Sequence, residues 1–264
     1  MSKKRFCLLG DTIEYSLSPL VHSLIYAECG LNAEYSLCSV SGFAGFKTES
    51  KRLLEEFDGF NVTKPFKREI ARRLDSVNDN RFDAVNTVYK GVGYNTDYGG
   101  FLNHLTSIAD LKGLSALVLG AGGVAEIAVY ALKNLGLDVF VFNRTLEKAK
   151  SLAKKNGAMA ALSKMAKYDV VVNCTSVGLN AGENVASGMN FSKTLVAYDT
   201  IYFDTEFLKM AAAAGVKHVV NGLGMLIWQA VLANEIFFET TFLDKELLVE
   251  KILNQVIKEQ SKLC

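Results

Sequence analysis

Residues 114–136 read LSALVLGAGGVAEIAVYALKNLG, an apolar run that passes through a glycine cluster straight into a helix-spaced segment. The run LSALVLG has the length and composition of a strand buried on both faces, and EIAVYALKNLG repeats its apolar positions at helical spacing. A strand delivered through glycines into a helix opens a parallel βαβ unit, which places the chain in the α/β class.

Within the turn, GAGGVA fits G-x-G-x-x-A, with Gly120, Gly122 and Ala125 at the small positions and Ala121 and Gly123 completing the loop. Gly120 permits the tight turn, Gly122 lets the backbone approach a pyrophosphate, and Ala125 lets the helix sit close to the strand, with free N–H groups facing the anion. The second strand, DVFVFN, ends in Asn143, Arg144 and Thr145, with Lys148 one turn on. A carboxylate there would suit the ribose hydroxyls of NAD and repel a 2′-phosphate, whereas a guanidinium grips that phosphate. A charge-assisted hydrogen bond contributes about 1.5–3 kcal/mol, so the expected cofactor is NADP.

Strand-like runs also occur at 5–10, 34–40, 59–63 and 84–89, with helix spacing at 19–30 and about 42–57. After the second strand come further strands at 169–173, 194–200 and 217–220 between helical stretches, and the pattern is helical from Met225 onward. In the last helix Leu247, Leu248, Ile252, Val256 and Ile257 are expected to share one packed face. The economical reading is an N-terminal α/β substrate domain plus a Rossmann-like doubly wound NADP domain with a cleft between them. The substrate domain is expected to comprise 1–97 and 225–264 and the NADP domain 98–224.

The 264 residues carry a net charge of +1, which offers no basic field for nucleic acid. The five cysteines are scattered without metal-ligand or disulfide-framework spacing, so no metal is assigned and the thiols are read as reduced. The apolar run Phe6–Leu9 is too short for a signal segment and no stretch suits a membrane span. A soluble cytoplasmic protein with a small-molecule partner is expected, and a homodimer is allowed. His22, His104 and His218 follow no catalytic pattern and are read as structural; Cys174 is read as a packing residue.

The N-terminal half holds the remaining chemistry. GFNVTKPFKREI (59–70) surrounds one of two prolines with Asn61, Thr63, Lys64 and Lys67, and YSLSPLVHS (15–23), AVNTV (84–88) and YNTDYGGF (94–101) accompany it. Ser16 and Ser18, before a helix opened by Pro19, offer hydroxyls and N–H groups to a carboxylate.

Together these motifs, running in order to NGLGMLIWQA (221–230), closely resemble the shikimate dehydrogenase family, which reduces 3-dehydroshikimate to shikimate with NADPH. The resemblance implies that Ser16 and Ser18 take the substrate carboxylate, and that Thr63, Asn86 and Gln229 take the ring hydroxyls. Asn61 belongs with this substrate group as a support of the loop. It makes Lys67 and Asp97 the catalytic pair and brings Tyr202, in DTIY, near substrate and nicotinamide. Lys64 should point away, because burying its charge would be costly. Lys67 is the candidate to pass the proton, with Asp97 holding the lysine and the reacting oxygen in register, and the sequence leaves open whether Lys67 alone or the pair carries it.

Four departures from the family pattern stand out: Ser23, Glu126 near the phosphate site, the segment FDTEF after Tyr202, and Asn221. A quinate/shikimate dehydrogenase of broader substrate and cofactor use, or a nicotinamide-binding regulator without turnover, are the competing readings.

Overall fold

The computed structural model describes residues 2–78, 81–180 and 182–262. The N-terminal elements are β1 (Lys4–Gly10), α1 (Ser18–Cys29), β2 (Ala33–Ser39), α2 (Gly42–Glu56), β3 (Gly59–Val62), α3 (Lys67–Ala71), β4 (Ser76–Val77), β5 (Thr87–Tyr89) and β6 (Val92–Tyr94). There follow α4 (Asp97–Ile108), β7 (Ser115–Leu119), α5 (Gly123–Asn134), β8 (Asp138–Phe142), α6 (Leu146–Lys155), β9 (Met159–Ala160) and β10 (Val170–Asn173). The chain continues with β11 (Val196–Asp199), α7 (Glu206–Ala213), β12 (His218–Val220), α8 (Leu223–Phe238) and α9 (Lys245–Ser261). It divides into two compact units, one of the residues up to Gly100 with those from Ile227 onward, the other Phe101–Leu226; the divisions fall inside α4 and α8.

In the first unit the strand order is β2-β1-β3-β5-β6-β4. β1 pairs parallel with β2 and β3, whereas β5 runs antiparallel to both β3 and β6. The carboxyl ends of β1, β3 and β6 therefore share one sheet edge with the start of β5. Alternation along β1 sends Cys7 and Leu9 into a core with Phe46, Leu53, Phe60, Phe66 and Val88, and Phe6 into another with Tyr26, Ala233 and Phe237. Each buried Leu, Val or Phe among them contributes roughly 1.5–3 kcal/mol.

Helix α1 begins at Ser18 with Pro19 in its first turn and ends at Gly30, whose φ of 63° suits the left-handed cap. The last helix, α9, packs on α1, but by a narrower face than the sequence suggests. Val249, Ile252 and Val256 are buried, whereas Leu247 and Ile257 are about half exposed. One helix covers only a single stripe of its neighbour, so apolar residues flanking that stripe stay in solvent.

The second unit holds an all-parallel sheet in the order β12-β11-β10-β7-β8-β9. Counted from β7 this is the doubly wound order, and its direction of winding reverses between β7 and β10, where such sheets bind their ligands. Every residue of β10 and β11 is buried, as expected of strands covered on both faces.

Candidate active site

At the shared edge of the first sheet, β3 runs into a turn in which the Phe66 N–H donates to the Thr63 carbonyl at 3.0 Å. The turn leads to Lys67, the first residue of α3, while Lys64 and Pro65 face solvent. Asp97 starts α4 just beyond β6 and is 6% exposed. Lys67 Nζ donates to Asp97 Oδ2 at 2.6 Å, and Asn86 Nδ2 donates to Asp97 Oδ1 at 3.0 Å. The carboxylate is divided between a cation and an amide, and the half-buried ammonium stays within reach of a ligand.

Asn86, which precedes β5, is the hub of this edge. Its Oδ1 accepts the Thr96 N–H at 2.8 Å and the Thr87 hydroxyl at 3.0 Å, and its Nδ2 also lies 2.8 Å from Thr96 Oγ1 and 3.2 Å from Gln229 Oε1. Gln229, on α8, is thereby brought to the same cluster although it lies far along the chain. Asn61, placed by the sequence with the substrate contacts, turns its amide inward. Its Nδ2 donates to Thr87 Oγ1 (2.9 Å) and to the Asn86 carbonyl (3.1 Å), and its Oδ1 accepts the Tyr35 hydroxyl at 2.8 Å. Thr87, Thr96 and Tyr35 are members of the cluster that the sequence reading missed. Thr87 and Thr96 lie within the quoted AVNTV and YNTD stretches, where a polar residue at the end of an apolar strand, opening β5 or following β6, is the available signal; nothing local marks Tyr35.

After β1, the two serine hydroxyls lie 3.2 Å apart and Ser16 Oγ accepts the Ser18 N–H at 3.2 Å. The cap residue Leu17 offers no side-chain acceptor, so Ser16 stands in for it at the Ser18 N–H; Pro19 has no N–H to offer, and the Val21 N–H donates to the Leu17 carbonyl at 3.0 Å. Ser23 folds its hydroxyl back onto the Pro19 carbonyl at 2.6 Å, so this departure is absorbed within the helix.

In the second unit, Gly120 follows β7 with φ of 112°, and its N–H donates to the Phe142 carbonyl at 2.8 Å. Gly122 caps α5 in an extended conformation (φ −93°, ψ −172°), and no side chain occupies the cap. A Cβ added at Gly122 or Gly123 would meet nothing within 4 Å, while Ala125 is fully buried beneath. An open space above uncapped helix N–H groups fits a dinucleotide pyrophosphate. Asn143 Nδ2 braces the following turn through the Thr145 carbonyl at 3.0 Å, and Arg144, Thr145 and Lys148 are exposed around the start of α6. These residues fit a 2′-phosphate. Glu126 is buried, and Lys155 meets its carboxylate at 2.6 Å, so this departure carries its own counter-charge.

At the ends of β10 and β11, register-paired Asn173 and Asp199 form a second buried cluster. Asp199 accepts from Asn173 Nδ2 (3.1 Å to each oxygen), the Ile201 N–H (3.0 Å) and the Thr205 hydroxyl (2.7 Å), and burial is the main cause that raises its pKa. The cluster fixes the backbone that carries Tyr202, whose phenol burial pushes up. The sequence reading missed it, although both strands end an apolar run with a polar residue. Asn221 accepts the Leu223 N–H at 3.0 Å and so helps start α8. Burial also pushes the Cys174 thiol up, which suits packing and not attack.

His22 is buried and stacks on Tyr35, and His104 Nδ1 lies 2.8 Å from the Tyr198 hydroxyl. Among the described residues no group of three or more metal-binding side chains comes together, and no helix is long and apolar enough to cross a membrane.

The family described as the shikimate dehydrogenase substrate binding domain matches residues 8–88, and that described as shikimate / quinate 5-dehydrogenase matches residues 104–189. The shikimate dehydrogenase (NADP(+)) of Thermotoga maritima is 36% identical over 232 residues, 86% of this chain and 90% of that protein. That of Aquifex aeolicus is 39% identical over 247 residues, 87% of this chain and 89% of that one. A crystal structure of shikimate 5-dehydrogenase from Thermus thermophilus, in complex with NADP(H) and shikimate, matches with a TM-score of 0.85 at 33% identity, over 96% of this chain and 99% of that chain.

Proposed function

The chain belongs to the shikimate dehydrogenase family, and from that premise we propose that it catalyses the reversible, NADP-linked reduction of 3-dehydroshikimate to shikimate. The observation that carries this reading is the Lys67–Asp97 pair, joined at 2.6 Å at the strand edge where Asn86 and Gln229 converge. A regulator without turnover has no use for a cation and carboxylate so arranged.

Ser16 and Ser18 take the substrate carboxylate, and Thr63, Asn86 and Gln229 take the ring hydroxyls, which aims the reacting carbon–oxygen bond at Lys67. During reduction negative charge builds on the ketone oxygen; the ammonium stabilises it and delivers a proton, and accepts one in the reverse direction. Asp97 keeps Lys67 in register. Asn61 supports this arrangement from behind, and Tyr202 helps to cover the substrate.

Bound NADP(H) supplies the hydride donor or acceptor. The turn of Gly120, Ala121, Gly122 and Gly123, with Ala125 beneath it, holds the pyrophosphate, and Asn143, Arg144, Thr145 and Lys148 hold the adenosine end with its 2′-phosphate. In domain terms, 1–97 with 225–264 form the substrate-binding and catalytic part and 98–224 the NADP part. A cytoplasmic enzyme acting on small molecules, without nucleic acid or membrane and with a homodimer allowed, completes the reading; the net charge of +1 is consistent with it.

The test is the initial rate of oxidation of shikimate and of quinate by the purified protein, each with NADP and with NAD, followed by nicotinamide absorbance. Turnover chiefly with shikimate and NADP is expected. Comparable rates with quinate or NAD would replace the narrow activity by the broad one, and no turnover in any pairing would overturn the enzymatic reading.

A further inference from the structure

Asp97 ends a run of hydrogen bonds whose donors all point the same way. The Tyr35 hydroxyl donates to Asn61 Oδ1 (2.8 Å), Asn61 Nδ2 to Thr87 Oγ1 (2.9 Å), the Thr87 hydroxyl to Asn86 Oδ1 (3.0 Å), and Asn86 Nδ2 to Asp97 Oδ1 (3.0 Å). Asn61, Thr87, Asn86 and Asp97 are all at most 6% exposed, so little water competes for these bonds. In such surroundings each group polarises the next, and a unidirectional chain strengthens its last bond.

The far end is rigid. The Tyr35 ring stacks on His22 with centroids 3.8 Å apart and planes 9° apart, and the register of β1 with β2 sets Tyr35 beside Phe6. Burial pushes the phenol well above its ordinary range, so it stays a donor. The Asn86 carbonyl requires the amine of Asn61 on its side, which leaves Asn61 Oδ1 to face Tyr35.

We propose that Tyr35 is a positioning residue for the reaction: through Asn61, Thr87 and Asn86 it orients and polarises the hydrogen bond received by Asp97, and thereby fixes where Asp97 holds Lys67. The role rests on the dehydrogenase reading for its kinetic consequence. Its structural part, transmission from Tyr35 to Asn86, does not.

The experiment compares Tyr35→Phe, Thr87→Val, Thr87→Ser and the Tyr35→Phe/Thr87→Val double variant with the parent. Tyr35→Phe keeps the stacked ring and removes only the hydroxyl; Thr87→Ser keeps the hydroxyl and removes only a methyl. Expected are kcat values for shikimate oxidation about three- to tenfold lower in Tyr35→Phe and Thr87→Val, the rate equivalent of about one hydrogen bond. The shikimate KM should stay within about twofold, Thr87→Ser should retain the parental kcat, and the double variant should be no slower than the slower single variant. An unchanged kcat in Tyr35→Phe, losses that multiply in the double variant, or an effect confined to KM would overturn the proposal.

A second readout needs no turnover. In protein labelled with 15N-asparagine, Tyr35→Phe should move the side-chain NH2 signals of Asn86, which Tyr35 does not touch, as well as those of Asn61. Asn86 signals that stay in place would overturn the transmission. If the parent protein turns over none of the substrates, the functional reading falls, and this spectrum still decides whether the chain transmits.

Discussion

Lys67 Nζ meets Asp97 Oδ2 at 2.6 Å, and the other carboxylate oxygen is taken by Asn86, so the ammonium is positioned by a group that is itself anchored. Proton transfer by a positioned side chain contributes about 10²–10⁴-fold to rate. Lys67→Ala is expected to lower kcat by at least two orders of magnitude, with a much smaller change in shikimate KM, because Ser16, Ser18, Thr63 and Gln229 remain. Near-normal turnover would remove Lys67 from the chemistry.

Arg144 and Lys148 lie exposed at the turn into α6, beyond the carboxyl end of β8, where the second strand of a doubly wound sheet meets the adenosine ribose. A guanidinium there recognises the 2′-phosphate and has little to offer a bare ribose. Arg144→Ala is expected to raise the KM for NADP roughly 10- to 150-fold, the equivalent of one charge-assisted hydrogen bond, while the KM for NAD changes little. Equal losses with the two nucleotides would show that Arg144 does not read the phosphate.

The parts legible from sequence are those with local causes. The GAGGVA turn requires glycine where φ is 112° at Gly120, and the apolar runs around it require burial on both faces; both follow from neighbouring residues alone. The motif NVTKPFK likewise announces a strand ending in polar residues. The hub at Asn86 was less legible, because the antiparallel β5 and β6 bring AVNTV and YNTD to one edge, and strand pairing is a tertiary fact. Tyr35 is further removed still, since its partner Asn61 is reached across the sheet through β1. The short α3, β4, β6 and β9 lack the length to show a period, and the buried stripe of α9 is narrower than its apolar spacing suggests because contact with α1 selects its face.

Two buried imidazoles should make the fold sensitive to acid. Burial holds His22 at about 3, against the neutral rings of Tyr26 and Tyr35, and holds His104 at about 4. Their ordinary value is about 6.5, so between that pH and the depressed values the unfolded chain binds more protons than the folded one. Stability is then fully present above about pH 6.5 and is lost as pH falls, by roughly 1.4 kcal/mol per pH unit for each group. Urea unfolding between pH 7 and 5 should show midpoints that fall with pH, and His22→Leu should flatten that slope in the unit that contains it. A parental slope retained by His22→Leu would show that His22 is not the group responsible.

Gly120 lets the proposed cofactor turn be tested apart from Ser16, Ser18 and Asn86, proposed for the substrate, because the turn and these residues belong to different units. Its φ of 112° is strained for any residue with a side chain, and an added Cβ would stand 3.1 Å from the Cys174 carbonyl, a backbone atom held by the pairing of Cys174 N–H with the Leu119 carbonyl. A residue in so unfavourable a conformation costs about 1–3 kcal/mol, and relief by rotating the peptide would turn the helix-start donors away from the pyrophosphate. Gly120→Ala is therefore expected to lower the melting temperature and to weaken NADP binding at least tenfold in calorimetric titration. Because Ser16, Ser18 and Asn86 belong to the other unit, the affinity for shikimate alone should stay within about twofold. Parental NADP affinity in this variant would mean that the glycine turn after β7 is not the phosphate cradle, and the cofactor residues assigned around it would have to be withdrawn together.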